Sequence, residues 1–172
     1  MNKNFFSRDV LEVAPELPGK RIVRIVNGER KEYFITEVEA YRGTEDRACH
    51  ANKGRTKRTE IMYRSGGYIY MYFVYGKHWM LNIVTGPVDS PQAILIRGLK
   101  GVRGPGRVAR ELLLDGSFYG ENILDSGRLA IEEGVNFPFI RTAERIGVEY
   151  AGEYWSKLKW RFFVNDTDFL AH

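Results

Sequence analysis

Cysteine is almost missing from the chain, because Cys49 is the only one among 172 residues. A single cysteine excludes an intramolecular disulfide and suggests a reducing compartment. The three histidines, His50, His78 and His172, are scattered, and no spacing among His, Cys and acidic residues resembles a zinc site. We therefore expect no metal. Cys49 and His50 are adjacent, so their side chains diverge in an extended segment and do not suit a nucleophile pair.

Long hydrophobic runs are also missing from the sequence. No apolar stretch approaches the length that crosses a membrane, and no signal peptide is visible. We expect a soluble protein without a membrane partner, cytoplasmic and associated with the nucleoid if the source is prokaryotic. With 172 residues, 44% of them hydrophobic, the chain is long enough to form one domain over 1–172 with its own core.

Acidic residues are slightly outnumbered, by 26 Lys and Arg to 22 Asp and Glu, which gives a net charge of +4. The basic residues fall into two clusters, Arg47, Lys53, Arg55, Lys57, Arg58 and Arg64, and then Arg97, Lys100, Arg103, Arg107 and Arg110. Two basic loops on an aromatic-rich domain suit a nucleic-acid backbone. An ordinary solvated surface is an equally good explanation of charge alone.

Turn signals divide the chain into strands and short helices. Asn27-Gly28 predicts a hairpin between strands 21–26 and 33–41, and a second hairpin spans 67–84 with its turn near 75–77. Further strands are predicted at 92–98, 129–131 and 161–164, and helices at 7–17 (capped by Ser7 and cut short by Pro15), 107–114 and 142–146. The predicted fold is a single α+β domain: a curved, mostly antiparallel β-sheet with a protruding β-hairpin, flanked by short helices.

The strand over 33–41 carries an unusual polar face. A period of two places Glu37, Glu39 and Tyr41 on one side and Phe34, Val38 and Ala40 on the other. Same-face neighbours lie roughly 7 Å apart, so Glu39 and Tyr41 can border a pocket for a planar ligand. A solvated face of an antiparallel sheet is the commoner reason for such alternation.

Tyrosines dominate the second hairpin. Tyr68, Tyr70 and Tyr72 alternate onto one face, which is typical of a stacking surface or of a core face with satisfied hydroxyls. Tyr75 stands at the turn beside Gly76 and Lys77, where little core is available to it. An exposed aromatic at a hairpin tip suits a wedge that enters another molecule.

Several motifs in order resemble one family. They are EVEAY at 37–41, DRACH at 46–50, GYIYMYFVYGKHWMLN at 67–82, ILIRG at 94–98 and GPGRVAREL at 104–112. Together they resemble the alkyladenine (methylpurine) DNA glycosylases, the 3-methyladenine glycosylases of bacteria and vertebrates. The resemblance covers most of the chain, up to WRFFV at 160–164.

The resemblance implies a base-excision repair enzyme that acts on double-stranded DNA, as a monomer and without a cofactor. It implies that water, activated by Glu39, hydrolyses the N-glycosidic bond of a flipped, alkylated or deaminated purine. The roles that it carries over are Glu39 and Arg97 at the reacting water, Tyr41, His50, Tyr72 and Asn82 around the base, and Tyr75 as the intercalating residue. Lys77, Arg103 and Arg107 are expected to contact the DNA backbone. Glu37 matches no catalytic role.

Two positions depart from the family pattern. Thr59 follows Arg58 where the family usually has Asn, which we expect to affect loop order or substrate range. Pro15 interrupts a first helix that the family generally continues. A non-catalytic module that binds damaged or single-stranded nucleic acid through the same basic loops and tyrosines is the alternative function. The preferred lesion is not predicted.

Overall fold

An antiparallel sheet of nine strands organises residues 1–171, the part of the chain that the computed structural model describes. The strands are β1 Arg21–Val26, β2 Glu29–Arg42, β3 Ile69–Val74, β4 His78–Val84, β5 Gln92–Leu99, β6 Val102–Arg103, β7 Leu129–Glu132, β8 Arg141–Ala143 and β9 Arg161–Phe163. Their order is β3-β4-β5-β2-β1-β7, while β6 pairs with β5, and β9 pairs with both β2 and β8. The long strand β2 therefore lies in the middle, with β5 on one side and β1 and β9 on the other.

The helices are short. They are α1 Lys3–Phe6, α2 Val10–Val13, α3 Pro105–Glu111 and α4 Glu153–Lys157, and six 3₁₀ turns accompany them. The 3₁₀ turns are Ala14–Glu16, His50–Lys53, Glu60–Tyr63, Gly116–Phe118, Glu149–Ala151 and Asp166–Ala171. This arrangement confirms the predicted α+β class and its mostly antiparallel sheet.

Both predicted hairpins are present. Asn27 and Gly28 have φ values of 51° and 80°, which is the geometry of a tight hairpin turn. The hairpin of β3 and β4 forms the edge of the sheet, and Tyr75 at its tip is 91% exposed. The sequence signals for turns therefore located the two hairpins correctly.

The face of β2 that packs into the core differs from the strict alternation. Ile35, Val38 and Ala40 are fully buried together in the main core, whereas Phe34 is only half-buried and stacks on Phe169 at 5.1 Å. The pairing of β2 with β5 shifts register between Ile35 and Val38. Such a bulge inserts one residue and exchanges the two faces of a strand, so the prediction that placed Phe34 with Val38 and Ala40 was wrong.

Of the predicted helices, 7–17 was wrong in part and 142–146 was wrong. Residues 7–17 contain only the single helical turn α2 and the 3₁₀ turn Ala14–Glu16, and Asp9 caps α2 by accepting from the Leu11 N–H at 2.9 Å. Ser7 instead ends α1. Residues 142–146 contain the end of β8 and part of a loop, because β8 pairs with β9. A pairing partner in a later strand of the chain leaves no local signal.

The chain segments 1–9 and 65–86 approach each other closely at Gly66. Its N–H donates to Gly86 O at 2.9 Å, and the Gly86 N–H donates to Phe6 O at 2.9 Å. A Cβ at Gly66 would overlap the Phe6 carbonyl.

We predict that Gly66→Ala lowers the free energy of unfolding by about 1 to 3 kcal/mol through overpacking, measured by urea denaturation.

Gly127→Ala is the matched control, because a Cβ there meets no atom within 4 Å. It should leave stability unchanged or slightly raised. Equal stabilities for the two variants would contradict the close packing at Gly66.

Candidate active site

A cavity of about 410 Å³ lies between the β3–β4 hairpin, the end of β2 and two loops around 48–50 and 146–150. This volume is in the range of small-molecule sites. Aromatic side chains form much of its wall, and the described residues around it include Tyr41, His50, Tyr70, Tyr72, Tyr75, Asn82, Arg97, Ile146 and Tyr150. The cavity therefore gathers six of the residues that the sequence predicted for the site.

Glu39 lies directly behind this wall with no exposed surface. Its Oε2 accepts a hydrogen bond from the Tyr41 hydroxyl at 2.7 Å, and its Oε1 accepts one from the Ile146 N–H at 2.8 Å. Arg97 Nε lies 3.5 Å from Oε1. All three partners line the cavity, so the carboxylate lies immediately next to it.

Burial raises the pKa of Glu39 above its ordinary value. Arg97, the Ile146 N–H and the Tyr41 hydroxyl act in the opposite direction, while the negative charge of Glu37 adds to the increase. Water-free surroundings penalise the ionised carboxylate, whereas a nearby cation and hydrogen-bond donors stabilise it. The carboxylate is therefore a stronger proton acceptor than a solvated glutamate.

Glu37 shares the arginine of Glu39. Arg97 Nε lies 3.5 Å from Glu37 Oε1 as well, and Arg161 Nη1 donates to the same Glu37 oxygen at 2.9 Å. The Glu37 side chain is only 19% exposed. The second acid of the strand is therefore part of a paired, largely enclosed network.

His50 and the tyrosines of β3 form one wall. His50 Nδ1 lies 2.8 Å from the Tyr70 hydroxyl, and the His50 ring meets Tyr72 edge-on at 4.6 Å between centroids. Burial, together with Arg58 and Lys53, lowers the pKa of His50 to about 4. The imidazole is therefore uncharged near neutral pH.

Asn82 and Cys49 complete the inner lining. The Asn82 amide is buried and donates from Nδ2 to Tyr70 O at 3.2 Å. Burial raises the pKa of the Cys49 thiol to about 12. The cysteine is consequently a neutral part of the wall.

The residues predicted to meet DNA lie outside the cavity, except Tyr75 at its rim. Lys77, Arg103 and Arg107 are all exposed. The start of α3 packs beside the hairpin, because Gly106 leaves room for the His78 ring. Because His78 pairs with Val74 at the turn end of the hairpin, this contact brings the exposed Arg107 close to the tip that carries Tyr75.

Within residues 1–171, no group of three His, Cys, Asp or Glu side chains is arranged to hold a metal ion. Among the same residues, no helix has the length and apolarity that a membrane crossing requires.

Comparison with known proteins identifies the family of this chain. The family model for methylpurine-DNA glycosylase matches residues 4–103 and 100–168. The chain belongs to the methylpurine-DNA glycosylase family. Its resemblance to that family, inferred from the motifs, is thereby confirmed.

Curated relatives match this family member over nearly their whole length. A protein of Natranaerobius thermophilus is 37% identical over 195 residues, which cover 99% of this chain and 98% of the relative. Proteins of Borreliella burgdorferi and Legionella pneumophila are each 36% identical, covering 99% and 97% of this chain and 99% and 95% of the relatives. Each is named "Putative 3-methyladenine DNA glycosylase".

One buried ion pair behind the site of this family member was missed by the sequence reasoning. Arg145 and Asp46 have no exposed side-chain surface and are joined by two hydrogen bonds, of 2.6 and 3.0 Å. Arg145 also donates to Ala40 O at 3.0 Å and to Trp155 O at 3.1 Å, and it lies over the Tyr41 ring at 4.9 Å. The pair therefore ties the 42–50 loop, the end of β2 and the segment before Ile146 together.

Thr59 is buried in the basic loop and fully engaged there. Its hydroxyl donates to Gly54 O at 2.9 Å and accepts from the Thr56 N–H at 2.9 Å. Next to it, the Arg58 guanidinium lies over the Tyr72 ring at 5.0 Å. Thr59 thus supplies polar contacts of its own at the position where the family usually has Asn.

Breaking the buried ion pair should be costly, because a lone buried charge remains. We predict that Arg145→Met lowers the free energy of unfolding by about 3 to 5 kcal/mol, measured by urea denaturation. Lys157→Met is the control, since it removes the exposed Lys157–Glu144 pair and should change the denaturation midpoint little. Similar losses in both variants would contradict a special role of the buried pair.

Proposed function

We propose that this chain is a DNA repair glycosylase that hydrolyses the N-glycosidic bond of alkylated or deaminated purines after base flipping. The proposal rests chiefly on one observation in a member of the methylpurine-DNA glycosylase family: the fully buried Glu39 carboxylate, held by Arg97, Tyr41 and Ile146 behind an aromatic cavity. The names of its relatives support 3-methyladenine as one substrate.

The chemistry requires a nucleophile and a proton acceptor at the sugar. As the base departs, it takes the electron pair of the C1′–N bond and leaves positive charge on the sugar. Water attacks C1′, and Glu39 accepts the proton that the water loses. Each Glu39 oxygen has one hydrogen-bonded partner, and a carboxylate oxygen has two lone pairs, so an acceptor position remains for the water. The charge of Arg97 favours the ionised form of the carboxylate, against the effect of burial.

The cavity suits a flipped purine, including a cationic one. Enzymes that act on a base in a duplex must extrude it, and aromatic faces replace the stacking that is lost. Tyr41 and His50 are the proposed stacking pair, with Tyr72 and Asn82 beside them. The uncharged His50 does not repel an alkylated purine, and tyrosine rings attract a positive charge. An alkylated purine that is already cationic also leaves without a general acid.

The nucleophile proposed here is water, since an enzyme that also nicks the strand needs an amine for a Schiff base. No lysine is among the described residues that line the cavity. Lys77 is exposed at the hairpin tip, and its proposed role is a phosphate contact, together with Arg103 and Arg107. The enzyme would thus be monofunctional.

The central test is Glu39→Gln. We predict that it reduces single-turnover base release from a duplex with one hypoxanthine by a factor of at least about 10³, since the proton acceptor is lost. Affinity for a duplex with an abasic site should stay nearly unchanged. A variant that keeps full activity would refute the role of Glu39. A wild-type protein that binds damaged DNA but releases no base would favour the non-catalytic alternative.

A stability measurement controls for misfolding of this variant. The pKa of Glu39 is higher in the folded protein than in the unfolded chain. Between these two pKa values the folded protein holds a proton that the unfolded chain has lost, so the free energy of unfolding falls as the pH rises through this range. The Gln amide that replaces the carboxylate does not ionise, so it avoids the cost of burying a negative charge. At neutral pH the Glu39→Gln protein should therefore unfold at the same temperature as the wild type or at a higher one.

Tyr75 is the proposed wedge that fills the gap in the duplex. Its side chain is 91% exposed and borders the cavity, so removal costs the fold little. We predict that Tyr75→Ser slows base release by a factor of about 10 or more and lowers the flipped fraction, measured with a fluorescent purine lesion in the duplex.

Phe73→Ser is the matched control on the same hairpin. Phe73 is 47% exposed and stacks on Trp79 at 4.8 Å, but it is not among the residues of the cavity wall. The Phe73→Ser variant should lose thermal stability but still flip the damaged base. If Tyr75→Ser loses stability and keeps its flipping, Tyr75 is a structural residue.

A further inference from the structure

The carboxylate of Glu37 is held in a chain of alternating charges that ends at Glu39. Arg161 Nη1 donates to Glu37 Oε1 at 2.9 Å, and Arg97 Nε lies 3.5 Å from that same oxygen and 3.5 Å from Glu39 Oε1. The order is therefore Arg161, Glu37, Arg97, Glu39. One guanidinium nitrogen lies at equal distance from two competing carboxylates.

Neither of these contacts is a hydrogen bond from Arg97 Nε. The nitrogen is buried and has no hydrogen-bond partner within residues 1–171, although an arginine N–H requires an acceptor when water is excluded. Its side chain is 12% exposed. The guanidinium is thus in an intermediate position, from which a small movement toward either carboxylate makes a proper hydrogen bond.

The strands fix this arrangement. Glu37 and Glu39 project from β2, Arg97 from β5 and Arg161 from β9, and β2 pairs with both of those strands. Gly98 lies opposite Glu37, and a Cβ there would be 3.1 Å from the Glu37 Cβ and 2.8 Å from Thr36 Oγ1. The lack of a Cβ at Gly98 therefore allows β5 to lie this close to β2 at Thr36 and Glu37.

We propose that Glu37 is a positioning residue, which competes with Glu39 for Arg97, and that Arg161 limits this competition by neutralising Glu37. The inference rests on the proposed function and deepens it, because it concerns the same reacting carboxylate. Glu37 does not touch the substrate in this proposal. It acts only through Arg97 and through its own charge.

Several other groups face the Glu39 carboxylate from the surrounding elements. Tyr41 faces it from its own strand, the Ile146 N–H from the loop after β8, and Arg97 from β5. The negative charge of Glu39 also raises the pKa of Tyr72 on β3 and of Tyr150. Arg145 lies over the Tyr41 ring. Burial is the main reason why the pKa of Glu39 is raised, and Glu37 adds to that increase.

The test compares Glu37→Gln, Arg161→Gln and the double variant. Glu37→Gln removes the competitor and a negative charge, so the acid limb of the single-turnover rate should move to lower pH by about half a unit to one unit. At a fixed pH on that limb, base release becomes about three- to tenfold faster. Arg161→Gln leaves Glu37 uncompensated and should move the limb to higher pH.

The double variant separates the indirect effect of Arg161 from a direct one. If Arg161 acts through Glu37, the double variant behaves as Glu37→Gln alone. Glu144→Gln is the control, because its exposed carboxylate pairs with Lys157 and not with Arg97, and it should leave the limb in place. Shifts of both single variants in the same direction, or no shift in Glu37→Gln, would overturn the proposal.

A second measurement does not depend on activity. The ionisation of Glu39 can be followed in the free protein through the NMR signal of its carboxyl carbon, assigned with the Glu39→Gln variant. Glu37→Gln should lower the titration midpoint and Arg161→Gln should raise it. A wild type that releases no base would refute the glycosylase proposal alone, whereas unchanged midpoints would refute the role of Glu37.

Discussion

The burial of one carboxylate is the constraint on which the site depends. A glutamate without any exposed surface must find donors and a counter-charge within the protein, since it has lost its water. Glu39 finds them on three separate segments: Tyr41 on its own strand, Arg97 on β5 and the Ile146 N–H in the loop after β8. These segments are also walls of the cavity. The same packed segments therefore supply the hydrogen-bond partners of the carboxylate and form the walls of the pocket.

Remote parts of the chain provide the rigidity of that arrangement. The buried Arg145–Asp46 pair sets the segment before Ile146 against the loop that carries His50. The ring of Tyr41 lies beneath the same guanidinium. A donor that stabilises a buried charge is effective only if it is held in place. The ion pair thus supports two of the three partners of Glu39 without touching Glu39 itself.

Local sequence signals predicted much of the fold and part of the site. Asn27-Gly28 identified one hairpin, and the tyrosine-rich alternation with Gly76 identified the other, because tight turns and strand periodicity are local properties. The bulge in β2 and the strand β8 were missed, since both depend on pairing with distant strands. Asp46 and Arg145 are 99 residues apart, so their pairing has no counterpart in spacing or periodicity. The family motifs, by contrast, singled out residues that the fold does gather around one cavity.

The wall of the cavity includes a cysteine whose chemistry is suppressed. The thiolate is the form that attacks electrophiles, and burial, which raises the pKa of Cys49 to about 12, keeps the thiol protonated near neutral pH. Reagents that attack thiolates should therefore modify this wall of the pocket only slowly.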